Sequence, residues 1–318
     1  MRKGAQCCAN GANDRLNAMN NSLSRNAERW QGVLWIVVSA AGFGAMAIFA
    51  KIAYREDVSL TNMLFLRFAI AGLLLAAWGM WQGMRWPRGR DLLWVAAMGA
   101  VGYVGQAYCY FSALKHASAG LVGLLLYLYP AIVTVMSALV YRRKIGAARA
   151  WAVAAALAGT ALTVGGDLHS QPLGIMLGVG AALIYSIYIL AGEGVMPRVG
   201  ALPAATVVML AAAIVYGGAA SAEGLALPRS TEGWLAVLAI AVFSTLLAIL
   251  GFFKGLEKLG ASDASTLSTL EPLITIGLAL LVLGETVSGL QLAGGALILA
   301  AVIYLARHGA QEAAKAKA

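Results

Sequence analysis

The sequence predicts an all-α integral membrane protein, with ten transmembrane helices arranged as two inverted five-helix repeats. Three observations carry this reading. Hydrophobic residues make up 61% of the chain and charged ones only 12%, and the mean hydropathy is +0.78. Average soluble domains are about a quarter charged, so a soluble fold of this size is excluded. The stretch 261–285, ASDASTLSTLEPLITIGLALLVLGE, is long and apolar enough to cross a bilayer core of roughly 30 Å, yet it carries Glu271 and Pro272 near its middle. Finally, an offset of 142 residues places Pro130 on Pro272, Phe111 on Phe253, Leu128 on Leu270 and Ile132 on Ile274. Leucine matches are cheap in such a chain. Two aligned prolines, each within an apolar span and each followed by another span, point to an internal duplication.

Taken in order, residues 1–30 are polar and asparagine-rich, with no apolar signal-peptide core, and read as a disordered cytoplasmic tail. The first repeat, 31–166, holds spans at 31–53, 58–80, 91–113, 118–140 and 147–166. The second, 172–306, holds spans at 172–192, 203–222, 232–255, 261–284 and 288–306, and 307–318 forms a cytoplasmic tail. No connection is long enough for a soluble domain. The 37 glycines suit close approach of helices in lipid. Cys7, Cys8 and Cys109 form no disulfide framework or metal-ligand spacing, so neither a metal nor a cofactor is expected.

Charge sets the orientation. If the N-terminus is inside, the inner segments and helix ends hold 18 of the 23 lysines and arginines, among them Arg85, Arg88, Arg90, Arg142, Arg143, Lys144, Arg198, Lys254 and Lys258. The outer side keeps Lys51, Arg55, Lys115 and Arg229, and Arg67 falls within a span. This is the positive-inside pattern, with both termini cytoplasmic. Trp30, Trp81, Trp86, Trp94 and Trp151 fall near inner helix ends, as an interfacial belt requires. The formal charge of +9 is thereby explained without nucleic acid. Five spans per repeat is an odd number, so the second repeat enters the membrane from the opposite side. In secondary transporters, inverted repeats place a substrate site near the midplane.

The chemistry must come from polar and aromatic groups inside spans. Tyr103, Gln106 and Tyr110 share one helical face, as do Gly123, Tyr127, Pro130 and Thr134, and likewise Ser265, Ser268, Pro272 and Thr275. Tyr185 and Tyr188 are a turn apart. Aromatic bodies with hydroxyl tips suit an apolar side chain plus a few hydrogen bonds. The bland alternatives are tyrosines packing helix interfaces and hydroxyls bonding their own backbone. Lys51, Lys254, Glu257, Lys258 and Asp263 lie near span ends, where snorkelling suffices.

The string LEPLITIGLALLVLGE at 270–285, followed by a glycine-rich last span, resembles the EamA-type repeat of the drug/metabolite transporter superfamily. FGAMAIFAKIA at 43–53, LFLRFAIAGLLL at 64–75 and YLYPAIVTVMSALVYRRKI at 127–145 look like its first copy. The resemblance covers about 30–306. It implies a ten-helix inverted-repeat fold in the bacterial inner membrane and export of amino acids, other metabolites or toxic compounds. The sequence departs from the family at Arg143, which the offset aligns with Glu285 where an acid often ends the fourth span.

Enzyme motifs are missing: no zinc-binding HExxH, nucleophile elbow, phosphate loop or prenyl-diphosphate acids occur. A channel would need a filter loop or charged ring, which the chain lacks. The reading is therefore a secondary exporter of amino acids with apolar or aromatic side chains, with a drug or organic-cation exporter as the alternative. Its partners are a small-molecule substrate and the bilayer; monomer and homodimer stay open. The expected substrate-binding set is Arg67, Tyr103, Gln106, Tyr110, Tyr127, Tyr185, Tyr188, Ser268 and Glu271, with Pro130 and Pro272 as hinges. Arg67 and Glu271 both fall about 14–15 Å deep at ~1.5 Å per residue. An unpaired charge there costs at least a few kcal/mol, so a mutual pair or a shared polar network is expected.

Overall fold

The computed structural model describes residues 2–140, 142, 146–167 and 170–315, with side chains described between 28 and 307 except at 29, 261–263 and 265. All regular structure among these residues is helical. Ten helices are long and apolar enough to cross a membrane. They are α1 (Trp30–Arg55), α2 (Leu60–Trp81), α3 (Gly89–His116), α4 (Ala119–Val140), α5 (Ala147–Gly165), α6 (Pro172–Glu193), α7 (Ala201–Glu223), α8 (Thr231–Gly260), α9 (Thr266–Leu283) and α10 (Gly289–Arg307). The polar segment read from composition as a disordered tail continues α1 backward as helix to Arg2. Propagating a helix from a packed span needs no new nucleus, which composition alone does not register. Arg143, the departure from the family pattern, lies outside the described residues.

Serines cap the first turns of α2, α4 and α8. Ser59, Ser118 and Ser230 accept hydrogen bonds from the amides of Asn62, Leu121 and Gly233 at 3.3, 3.2 and 2.9 Å. Helix α8 ends at Gly260, whose φ of +78° lets the chain turn directly into the helical lead-in to α9. A short helix, Met196–Val199, joins α6 to α7. On it, Arg198 pairs with Asp91 at 2.7 Å, and that carboxylate holds the guanidinium above its ordinary pKa.

The principal packed pairs are α1 with α8, α3 with α6, α2 with α7, α4 with α9 and α5 with α10, with α9 also on α1 and α4 on α6. Exchanging each helix for the one five places away maps every one of these pairs onto another or onto itself. Two sets of backbone irregularities follow the same exchange, whereas the π segment Ala279–Leu283 of α9 has an α-helical counterpart in α4. Alpha-helix gives way to π-helix at Met98–Tyr103 in α3 and at Ala239–Leu247 in α8. Helix α4 breaks at Tyr127 and Leu128, and α9 breaks at Thr269. At the 142-residue offset these sites coincide.

Small residues let the helices meet. A β-carbon on Gly44 of α1 would sit 2.8 Å from the Glu271 carbonyl oxygen on α9, where Thr275 also donates its hydroxyl to the Gly44 carbonyl at 2.9 Å. The five tryptophans assigned to the belt are all exposed on the outside of the bundle. In lipid that exposure places amphipathic rings at the headgroup level.

Candidate binding chamber

Helix breaks at prolines free backbone groups, and that local chemistry builds the chamber. Pro272 has no N–H for the carbonyl of Ser268, four residues before it. The Tyr127 hydroxyl lies 2.7 Å from that carbonyl and 3.0 Å from Glu271 Oε2, so one side chain of α4 meets both the freed oxygen and the midplane acid of α9. Glu271 stands in the first turn of the helix that restarts at Leu270, where the positive end of the helix dipole favours a carboxylate. The reciprocal position on α4 is Tyr129, whose carbonyl accepts from Ser186 of α6 at 3.2 Å.

These groups face a cavity of about 350 Å³. All nine residues expected from the sequence line it. The structure adds Tyr129, Phe43, Met46, Phe111, Met209, Phe252 and Phe253 to the lining. Several additions were within reach of the offset: Tyr129 is the counterpart of Glu271, Phe43 of Tyr185, Met46 of Tyr188, and Phe252 of Tyr110. Phe43 was beyond reach from its own span, because a lone phenylalanine in an apolar helix carries no signal of its own.

Aromatic rings form a continuous wall. Tyr127, Tyr129, Tyr185, Tyr188, Tyr103 and Phe68 follow one another at centroid spacings of 6.2, 5.0, 6.0, 5.7 and 5.5 Å. One end touches Glu271 through Tyr127. The other reaches Arg67, whose guanidinium carbon lies 4.9 Å from the Phe68 ring centre and 5.1 Å from that of Phe111.

The expected pair between Arg67 and Glu271 is not formed; no ion pair joins them among the described residues. Arg67 Nε donates instead to Thr245 Oγ1 at 3.0 Å. Thr245 turns its own proton to the Ile240 carbonyl at 2.8 Å, a five-residue reach that the π-helix provides. Tyr103 and Thr245 are counterparts at the 142-residue offset, each at the close of a π segment. Two ring faces and the Thr245 hydroxyl surround the guanidinium instead. Among the described residues no hydrogen bond links these groups to Glu271 and Tyr127 either, so the shared polar network is not formed.

Two expected residues are already engaged. Ser268 donates its hydroxyl to the Ala264 carbonyl at 2.9 Å, and Tyr127 is committed as described. Gln106, though buried, makes no hydrogen bond with the described residues, so its amide is free toward the chamber.

The chamber reaches Met196, Ala201 and Ala204 at the end of the bundle that carries most of the arginines. The other end is closed. Tyr54 on α1 donates to the Phe111 carbonyl at 2.8 Å, and Lys51 pairs with Glu285 at 3.0 Å. Glu285 also accepts the first amides of α4, from Ala119 at 2.9 Å and Gly120 at 3.4 Å. Lys51 therefore does more than snorkel: it neutralises an acid that caps a helix. Beyond this septum lies a second cleft of about 560 Å³, lined by Lys51, Arg55 and Lys115 among others.

Ten apolar helices around one polar-aromatic chamber, closed at one end and reached from the other, define a multi-pass membrane transporter. The chain belongs to the EamA-like transporter family, which matches residues 30–165 and again 172–307. Among curated relatives, the uncharacterized inner membrane transporter YicL of Salmonella typhimurium is 24% identical, over 86% of this chain and 95% of its own. The uncharacterized transporter YcbK of Bacillus subtilis is 26% identical, over 85% and 91%. A probable terminal-alkyne amino-acid exporter of Streptantibioticus cattleyicolor is 24% identical, over 88% and 93%. A solved crystal structure superposes with a TM-score of 0.64 at 23% identity, covering 86% of this chain and 95% of the other, and shows the fold alone.

Proposed function

We propose that this transporter exports amino acids with apolar or aromatic side chains across the bacterial inner membrane by alternating access, with both termini in the cytoplasm. The observation that carries the reading is the chamber itself: an aromatic wall ending at the Glu271 carboxylate, with the free Gln106 amide beside it. The wall suits an apolar side chain, and the carboxylate suits an ammonium group. The volume lies at the small end of the roughly 300–1,000 Å³ typical of ligand pockets, which favours a metabolite over a bulky lipophile. The amino-acid exporter among the relatives supports the same substrate class. The described conformation faces the basic side, the cytoplasm by the positive-inside rule. Pro130 and Pro272 act as the hinges, because each follows a broken turn whose backbone bonds are already released. The septum of Tyr54, Lys51 and Glu285 is the part that must open for release.

An exporter of organic cations is the second reading, favoured by the same carboxylate at the end of an aromatic wall. A panel of labelled amino acids and organic cations, tested in proteoliposomes with and without a pH gradient, separates the two. Transport of amino acids that is weakened in both Tyr110→Ala and Tyr127→Ala, with protein still in the membrane, is the expected result. Transport of cations alone, or amino-acid transport unchanged in both variants, contradicts it.

A further inference from the structure

The geometry points to Arg67 as the carboxylate-binding group of the chamber, opposite Glu271, so that the site selects zwitterions over ligands with a single charge. This rests on reading the chamber as an amino-acid site. Arg67 lies in the chamber wall and has no carboxylate partner among the described residues. A guanidinium has five N–H donors, and Thr245 accounts for one. Ser244 Oγ is the one buried side-chain polar atom without a partner among the described residues, so the remaining guanidinium nitrogens are not sealed in protein. They have the chamber to face. Among the described residues, Glu271 likewise has only the Tyr127 hydroxyl as a polar side-chain contact.

Two opposite charges, each unpaired by protein and held apart on one aromatic wall, are complementary to a ligand that carries both. The planar fork of arginine binds a carboxylate through two parallel hydrogen bonds, and the desolvated setting strengthens them. An organic cation gains from Glu271 but is repelled by Arg67. An anion meets the reverse. Only a zwitterion satisfies both ends while its side chain lies on the rings between them. Phe68, Phe111 and Thr245 hold Arg67 in place. The site is thereby built before the substrate arrives.

The test uses purified full-length protein and three probes: phenylalanine, its amide, and 3-phenylpropionate, with leucine and leucinamide as an aliphatic pair. The parent is expected to bind each amino acid at least about tenfold more tightly than its amide, in keeping with loss of a charge-assisted bidentate contact. Arg67→Gln is expected to remove that preference by weakening amino-acid binding, while the amide, freed of the like charge, binds at least as tightly as to the parent. Glu271→Gln is expected to weaken amino acid and amide alike and to bind 3-phenylpropionate at least as tightly as the parent. Equal binding of amino acids and amides by the parent overturns the proposal and leaves the amino-acid reading standing, and it needs no variant to fold. An equal loss of amino acid and amide in Arg67→Gln also overturns it, by making Arg67 structural. No binding of either amino acid by the parent removes the reading itself.

Discussion

The carbonyl of Ser268 lies four residues before Pro272, which has no N–H to offer it, and the Tyr127 hydroxyl at 2.7 Å takes that place. Tyr127 is thus a structural residue as well as a chamber residue. The Tyr127→Phe variant keeps the ring and removes only the donor, leaving a buried carbonyl unsatisfied. It should lower stability by about 1–3 kcal/mol, measured as an earlier thermal transition in detergent. An unchanged transition would show that another group or water takes the hydroxyl's place. The sequence made Tyr127, Tyr110 and Glu271 legible because polar groups in an apolar span are few. It hid what each one does. The hydrogen-bond partner of Arg67 lies 178 residues away at Thr245, and its span does not advertise the π-helical register that presents it. Two charges at one depth suggest a mutual pair or a shared polar network; the guanidinium lies instead against the Phe68 and Phe111 rings and the Thr245 hydroxyl.

At the scale of elements, the spans themselves were legible almost throughout, since apolar runs bounded by charge are what a bilayer selects. The eighth and ninth spans were less so, because helix continues on both sides of the Gly260 turn where the sequence suggested a loop. The contact of α1 with α9 depends on Gly44. A methyl group there would meet the Glu271 backbone at 2.8 Å, whereas one on Gly277 of the same α9 span meets nothing within 4 Å. Gly44→Ala should therefore cost about 1–3 kcal/mol and weaken transport, while Gly277→Ala should be neutral in both assays. Equal behaviour of the two variants would remove the close approach from the argument.

The broken turns of α4 and α9 make a second element-scale expectation. Pro272→Ala restores a backbone donor to the Ser268 carbonyl, competes with Tyr127 for it and favours a straighter α9. Labelling of a cysteine introduced at Gln106, compared from the two membrane sides, should then fall on one side and be retained on the other. Labelling identical to the parent background would make Pro272 a tolerated packing residue rather than a hinge.

At the scale of the molecule, the two halves contribute in register to one chamber. Tyr129 answers Glu271, Phe43 answers Tyr185, and Thr245 answers Tyr103. The halves are not chemically equal, however: the acid and the arginine each occur once, at positions whose counterparts are Tyr129 and Met209. On the proposed function, the duplicated frame would supply two comparable gates, and the unequal charges would give the ligand one orientation within it. The chamber opens toward the arginine-rich end, and the septum of Tyr54, Lys51 and Glu285 closes the other. A carrier needs both gates and never opens them together, whereas a channel needs only one gate.

Counterflow tests that distinction most directly. Proteoliposomes preloaded with unlabelled phenylalanine or leucine are diluted into a trace of the labelled amino acid, and internal label is followed with time. The expected result is a transient accumulation of label above the outside concentration, absent from protein-free vesicles and reduced at least severalfold in Tyr110→Ala. Simple equilibration with no overshoot, or no protein-dependent entry of any amino acid in the panel, would contradict an alternating-access amino-acid carrier.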